Sequence, residues 1–214
     1  MNWNGFRVPA TCSTSMLKLA RLYPHKRDER IIFDEAPHKY YIDGETDGWT
    51  SVTTVVHEPF DHFNSFLVAR GMVRSSKFPD DPKYAKYQSL LKDENGQDVT
   101  QAVLIQRIMK SWEENGAHAA QLGTYLHNSI EKFYNDEKVD NETIEYLNHF
   151  MDFVAVQKMV GLQPFRTEWV IFSEEHKICG SIDMIMVDPE TKQYHMFDWK
   201  RYSFFFVCCS YLIF

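Results

Sequence analysis

The residues best suited to chemistry lie in two short runs, Gly180-Ser181-Ile182-Asp183 and Asp198-Trp199-Lys200. Between them, Asp188-Pro189 suits the first two positions of a type I turn, and a four-residue loop from Pro189 to Lys192 is a common hairpin connection. Pairing Asp188 with Gln193 places Asp183 opposite Asp198 and Ser181 opposite Lys200. All four then share one face, because opposed residues share a face and strands alternate with period two. The other face becomes Ile182, Met184, Met186, His195, Phe197 and Trp199, nearly apolar and fit to pack against helices. A slip of one residue would spoil both faces. Two opposed carboxylates with Cβ atoms about 5 Å apart repel each other unless protonated or bridged by a cation. A divalent cation that prefers oxygen ligands resolves this. The neighbouring lysine can orient a water or stabilise developing negative charge.

Gly-Ser-Ile-Asp, a short hairpin and Asp-Trp-Lys together resemble the second and third motifs of the PD-(D/E)XK nuclease superfamily. Upstream, Gly123-Thr124-Tyr125-Leu126-His127 resembles the Gly-x-x-x-His helix of the branch that includes the RecB and AddB nuclease domains. Glu168, in Thr167-Glu168-Trp169, matches an acidic residue that this branch carries on the preceding strand. The similarity covers about residues 115 to 201. It implies a restriction-endonuclease-like α/β core, a central mixed β-sheet flanked by helices. It also implies a Mg²⁺- or Mn²⁺-dependent nuclease hydrolysing phosphodiester bonds of DNA, an exonuclease or end-processing enzyme in repair, recombination or replication. In this reading His127, Asp183, Asp198 and the carbonyl of Trp199 hold the metal and Lys200 positions or activates the water. Glu168 is a catalytic carboxylate that could act through water, Glu131 lies behind the ligands, and Arg201 touches a flanking phosphate. Plainer readings stand beside it. His127 alone could be a hydrogen-bonded helix histidine, Glu168 could pair with Arg166, and Asp198 with Lys200 could form a structural ion pair. A noncatalytic, degenerate nuclease-like protein that binds nucleic acid or a partner is the alternative to the enzyme.

Several elements must position these residues. Period-two patterning predicts strands over Phe165 to Phe172, Lys177 to Val187 and Gln193 to Lys200. Helical spacing predicts a helix over Gln101 to Glu114, a break at Asn115-Gly116, a helix over Ala119 to Tyr134 with Leu122, Leu126, Ile130 and Phe133 as its buried stripe, and another over Glu142 to Met159. Nearer the N-terminus, Ile31 to Phe33, Lys39 to Ile42 and the β-branched run Thr50 to Val56 read as strands, with a turn at Asp43-Gly44. From Phe60 to Val73 the pattern is helical, and Phe63, Phe66 and Leu67 are expected in the core. Residues 1 to 92 form a β-rich accessory segment that continues into a helix and linker, and 93 to 214 the nuclease-like domain.

That domain is expected to be truncated after residue 201. The last thirteen residues carry no charge, and the family's next helix, with its Gln-x-x-x-Tyr motif, is not found there. A terminal strand or a membrane-touching tail competes with a misread frame for this segment. Cys208-Cys209 lacks the three downstream cysteines of the iron-sulfur relatives, so no cluster is expected.

Composition bounds the remainder. With 44% hydrophobic, 15% aromatic and 25% charged residues, a disordered tract, a collagen-like repeat and a disulfide miniprotein are excluded. The net charge of -7 is uneven: residues 1 to 92 hold 13 basic and 11 acidic side chains, residues 93 to 214 hold 10 and 19. The acidic half contains the proposed ligands and the basic half is available to phosphates, six of its basic residues falling between Arg70 and Lys92. Four cysteines without metal-ligand spacing, and no signal-peptide pattern, suit an intracellular protein of cytoplasm or nucleus. The basic segment around Arg7 to Arg27 is a weak match to a mitochondrial import signal. No membrane association is expected, and the oligomeric state is open.

Overall fold

The computed structural model describes residues 17–139, 144–201 and 206–213. The side chain of Arg201 lies outside that description. The chain is mixed α/β. Its elements are α1 (Lys18–Leu22), β1 (Ile31–Asp34), β2 (Lys39–Ile42), β3 (Thr50–Ser51), α2 (Val52–His57), α3 (Ser65–Val73), α4 (Gln101–Tyr134), α5 (Ile144–Met159), β4 (Gln163–Ser173), β5 (Ile178–Val187), β6 (Tyr194–Arg201) and β7 (Phe206–Ile213). Two compact units result. One comprises the described residues up to Pro59 together with those from Gly123 onward, and the other spans Phe60–Leu122. The N-terminal strands therefore belong to the same unit as the main sheet.

That sheet is mixed. β4, β5, β6 and β7 are successively antiparallel, while β3 runs parallel to β5. β4 pairs along the whole of β5, so the other edge of β5 is shared: β6 takes Met184 to Val187 and β3 takes Ile178 and Cys179. The hairpin register is the one the turn dictates. Asp188 and Gln193 bracket the loop, Met184 pairs with Phe197, and the Asp188 N–H donates to the Gln193 carbonyl at 2.9 Å.

The apolar face of this hairpin builds the core. Met184, Met186, Phe197 and Trp199 are buried against Leu126, Ile130 and Tyr134 of α4 and Leu147, Phe150 and Val154 of α5. Phe150 and Trp199 meet edge to face with ring centroids 5.9 Å apart. Burying a side chain of this size contributes roughly 1.5–3 kcal/mol, so the cluster fixes where α4 lies on the hairpin. The second unit has its own core of Ala69, Val73, Tyr87, Leu104, Ile105 and Ile108.

Three expectations are corrected. α4 is one helix of 34 residues and does not break at Asn115-Gly116. A helical glycine costs about 1 kcal/mol, which the surrounding alanines and long side chains offset. The β-branched run is a strand only at Thr50–Ser51 and then turns into α2. There the Ser51 hydroxyl accepts the Thr54 N–H at 3.2 Å, and a capping bond of this kind overrides strand propensity. Phe63, Phe66 and Leu67 are exposed: Phe63 precedes α3, Leu67 faces away from the buried Ala69 and Val73, and Phe66 lies at the N-terminal end of their side of the helix. The apolar C-terminal segment contributes β7, whose backbone pairs with β6 from Tyr194↔Ile213 to Arg201↔Phe206. Among the described residues no helix is long and apolar enough to cross a membrane.

Candidate metal centre

The site forms where the β5–β6 ladder opens. The paired stretch stops at Met184 and Phe197, and beyond it the peptide of Trp199 is given over to side chains. Its N–H donates to Asp183 Oδ2 at 2.7 Å, and its carbonyl lies 3.0 Å from His127 Nε2. The motif glycine has a packing reason just behind this fork, since a Cβ on Gly180 would come within 3.2 Å of Val52 Cγ2 in α2.

His127 projects from α4 one residue after the buried Leu126. Its Nδ1 is 3.1 Å from Glu168 Oε1 and 3.7 Å from Asp183 Oδ2. One donor atom from each of His127, Glu168 and Asp183 lies within 4.8 Å of the others, the only spacing of this kind among the described residues. Register places Glu168 on β4 opposite Asp183 on β5, flanked by the pairs Thr167↔Met184 and Trp169↔Ile182. Glu168 is also strained. Its φ of 41° lies in the left-handed region, inside a strand, where a non-glycine residue costs on the order of 1–3 kcal/mol. The Ser181 hydroxyl steadies the carboxylate by donating to its Oε2 at 3.4 Å.

Electrostatics follow from this crowding. Burial pushes the Asp183 carboxyl up to about 6, with Glu168 and Asp198 adding to the rise while the charge of His127 and the Trp199 N–H oppose it. Burial likewise pushes Glu131, one turn beyond His127 on α4, up to about 7, helped by the negative charges of Glu168, Glu137 and Glu35. Burial alone would lower His127. The hydrogen bond to Glu168, the charges of Asp183 and Glu168 and the Trp199 carbonyl outweigh it and raise His127 above its usual range. A carbonyl can only accept, so Nε2 carries a proton, and the 3.1 Å contact at Nδ1 needs a second proton between His127 and Glu168. A divalent cation would take the place of that second proton.

Of the residues singled out in the sequence, His127, Glu168 and Asp183 converge, with Glu131 behind them; the Trp199 carbonyl, expected as a ligand, instead faces Nε2 on the other side of the His127 ring. Asp198 stands apart from the three-residue group. Its two oxygens each lie 2.7 Å from Lys200 Nζ in a half-exposed ion pair, although its charge is still felt at Asp183. Glu168 does not pair with Arg166, whose guanidinium instead binds Asp28 Oδ2 at 2.7 Å. Asp28 had no signal in the sequence, where Lys26-Arg27-Asp28-Glu29 is simply a short run of mixed charge. The donor set, one imidazole with two carboxylates, is of a kind that could hold a divalent cation. No family model, curated protein or solved structure matches the chain.

Proposed function

We propose that this protein is a Mg²⁺- or Mn²⁺-dependent nuclease acting on phosphodiester bonds of DNA, built on a restriction-endonuclease-like core. The observation that carries the reading is the convergence of His127, Glu168 and Asp183 within 4.8 Å at the open end of the hairpin whose next residues are Asp198, Trp199 and Lys200. His127, Glu168 and Asp183 would hold the cation through the Nδ1 side of the imidazole, while the Trp199 carbonyl accepts from Nε2 and fixes the ring. When bound, it supplies polarisation of the scissile phosphate and a lowered pKa for a neighbouring water.

The chain's own residues do the rest. Asp183 is fixed by the Trp199 N–H, and the same Oδ2 lies 3.7 Å from His127 Nδ1. Lys200 places a positive charge next to the carboxylates, where it can orient the attacking water or offset charge developing on phosphate once substrate competes for its bond to Asp198. Glu131, held near neutrality, can exchange a proton close to physiological pH without leaving the helix.

Cleavage of single- and double-stranded DNA with Mg²⁺ or Mn²⁺ tests the reading, with Asp183→Asn and Lys200→Ala as comparisons. Metal-dependent cleavage by the parent that falls by at least about a hundredfold in both variants is the expected result. Unchanged cleavage in both would overturn it. One observation favours a noncatalytic nucleic-acid-binding protein instead: Lys200 is held by Asp198. A folded parent that neither cleaves DNA nor gains thermal stability from millimolar Mn²⁺ would establish that second reading.

A further inference from the structure

Asp28 makes its bonds in an unusual place. It sits in a short 3₁₀ turn, Lys26–Glu29, and reaches two residues of β4 at once. Its Oδ2 accepts from Arg166 Nη1 at 2.7 Å and its Oδ1 accepts from Trp169 Nε1 at 2.8 Å. The Arg166 guanidinium also donates to the Tyr23 carbonyl at 2.9 Å and lies 4.6 Å from the centre of the Trp169 ring. Arg166 is 2% exposed, so a charge almost removed from water depends on these partners. His25 closes the turn, its N–H donating to Asp28 Oδ2 at 3.1 Å and its ring standing edge-on to Trp169.

In a regular strand, residues 166 and 169 point to opposite faces, because three steps of alternation separate them. Here they stack on each other and share one carboxylate. The backbone between them is irregular at Glu168, whose φ of 41° departs from strand geometry. The same departure turns Glu168 toward His127. Glu168 is thus bracketed by the two side chains that Asp28 ties together.

We infer that Asp28 is a positioning residue: by clamping Arg166 to Trp169 it holds the left-handed kink at Glu168 and so aims the Glu168 carboxylate at His127 and the metal centre. The metal part of this inference rests on the proposed nuclease reading; the clamp and its effect on His127 do not. Asp28 touches none of the candidate ligands and acts only through β4. Strain at Glu168 is what makes a clamp necessary, since a free strand would relax to extended geometry and carry the carboxylate away.

The test uses the full chain with Asp28→Ala, Asp28→Asn and Trp169→Phe. Trp169→Phe leaves Asp28 and its bond to Arg166 in place and keeps an aromatic ring there, while removing the indole N–H together with the pyrrole half of the side chain, so it is the milder variant where Asp28→Ala does not fold. Two readouts are taken well below the melting temperature: the ¹⁵N–¹H signals of the His127 ring in metal-free protein, assigned with His127→Gln, and the Mn²⁺ dissociation constant by electron paramagnetic resonance. Ile42→Val, in a separate part of the core beside β1 and β2, is the control for simple destabilisation.

The expected result is loss of the hydrogen-bonded Nδ1 signal and Mn²⁺ binding weakened on the order of tenfold in Asp28→Ala, with smaller effects of the same sign in Asp28→Asn and Trp169→Phe. Ile42→Val leaves both readouts at parent values. Parent-like His127 signals in both Asp28→Ala and Trp169→Phe, or equal changes in Ile42→Val, would overturn the inference. A parent that binds no Mn²⁺ while the variants still alter the His127 signals refutes the metal reading and leaves the clamp standing.

Discussion

Asp183 Oδ2 accepts the peptide N–H of Trp199 at 2.7 Å, just past the last paired residues of the β5–β6 ladder. A side chain thus takes over a bond that a neighbouring strand would otherwise make, and holds the fork open where the candidate ligands gather. The two roles of Asp183, acceptor and charge, separate on substitution. Asp183→Asn keeps an oxygen for the N–H and removes a negative charge that Glu168 and Asp198 oppose, so metal-free stability is expected to stay equal or rise. Asp183→Ala strands the N–H and is expected to cost about 1–3 kcal/mol. Both lose Mn²⁺ binding. Urea unfolding with and without Mn²⁺ checks all three statements, and a metal-free Asp183→Asn clearly less stable than the parent would contradict the electrostatic account.

The pH dependence has a definite sign. His127 is raised above 6.5 in the fold, so its contribution to stability is full below 6.5 and is lost as pH climbs through the higher folded value. Asp183, raised from 3.8 to about 6, and Glu131, raised from 4.5 to about 7, act in the same direction, each binding its proton more tightly folded than unfolded. Metal-free protein should therefore lose stability steadily from about pH 4 to about pH 8. Mn²⁺ must displace protons from the same groups, so its stabilising effect should grow over that interval. Asp28 runs oppositely: although burial raises it, its bonds from Arg166, Trp169 and His25 win and hold it below 3.8, so its stability is present above 3.8 and lost only in acid. Thermal melts across pH in chelator and in Mn²⁺ measure these trends, and a metal-free melting temperature that rises between about pH 5 and pH 8 would contradict the assignment.

How far this site could be read from the sequence depends on the range of the interaction. The register of the hairpin was legible because Asp188-Pro189 fixes the loop and period two does the rest, and the apolar face of Met184, Met186, Phe197 and Trp199 emerged from the same choice. The buried stripe of Leu126 and Ile130 followed from helical spacing, whereas His127 came from the likeness to the Gly-x-x-x-His helix. Glu168 came from a motif likeness alone. What escaped were features decided by contacts far apart in the chain or by local competition. The Asp28 bond to Arg166 joins residues 138 positions apart. The Ser51 cap converts β-branched residues to helix. The continuity of α4 through Gly116 is set by many weak propensities summed, and the exposure of Leu67 by which side of α3 meets a core.

Phe150 offers a test of the core without touching the site. It is fully buried between Phe133, Tyr134 and Trp199, with centroid distances of 5.3, 5.7 and 5.9 Å. Phe150→Ala should cost about 3–5 kcal/mol through lost transfer energy and the cavity left behind. Phe150→Leu should cost less, since it keeps most of the volume. Chemical denaturation measures both, and a loss under about 1 kcal/mol for the alanine variant would contradict the packing of α5 on the hairpin.

Lys200 separates stability from chemistry most cleanly. Its pair with Asp198 is half exposed, with 53% and 41% of the two side chains accessible, and pairs of this kind contribute at most about 1 kcal/mol. Lys200→Ala is therefore expected to melt within a few degrees of the parent and to retain Mn²⁺, because Asp183 keeps its bond from the Trp199 N–H and His127 its contacts with Glu168 and the Trp199 carbonyl. If Lys200 acts on the attacking water or on the phosphate, cleavage falls at least about a hundredfold at saturating DNA while the Michaelis constant changes little. Lys200→Arg preserves the charge but not the compact ammonium, and should restore only part of the rate. A rate loss that tracks weaker DNA binding in both variants, with turnover at saturation unchanged, would assign Lys200 to substrate affinity and remove it from the chemical step.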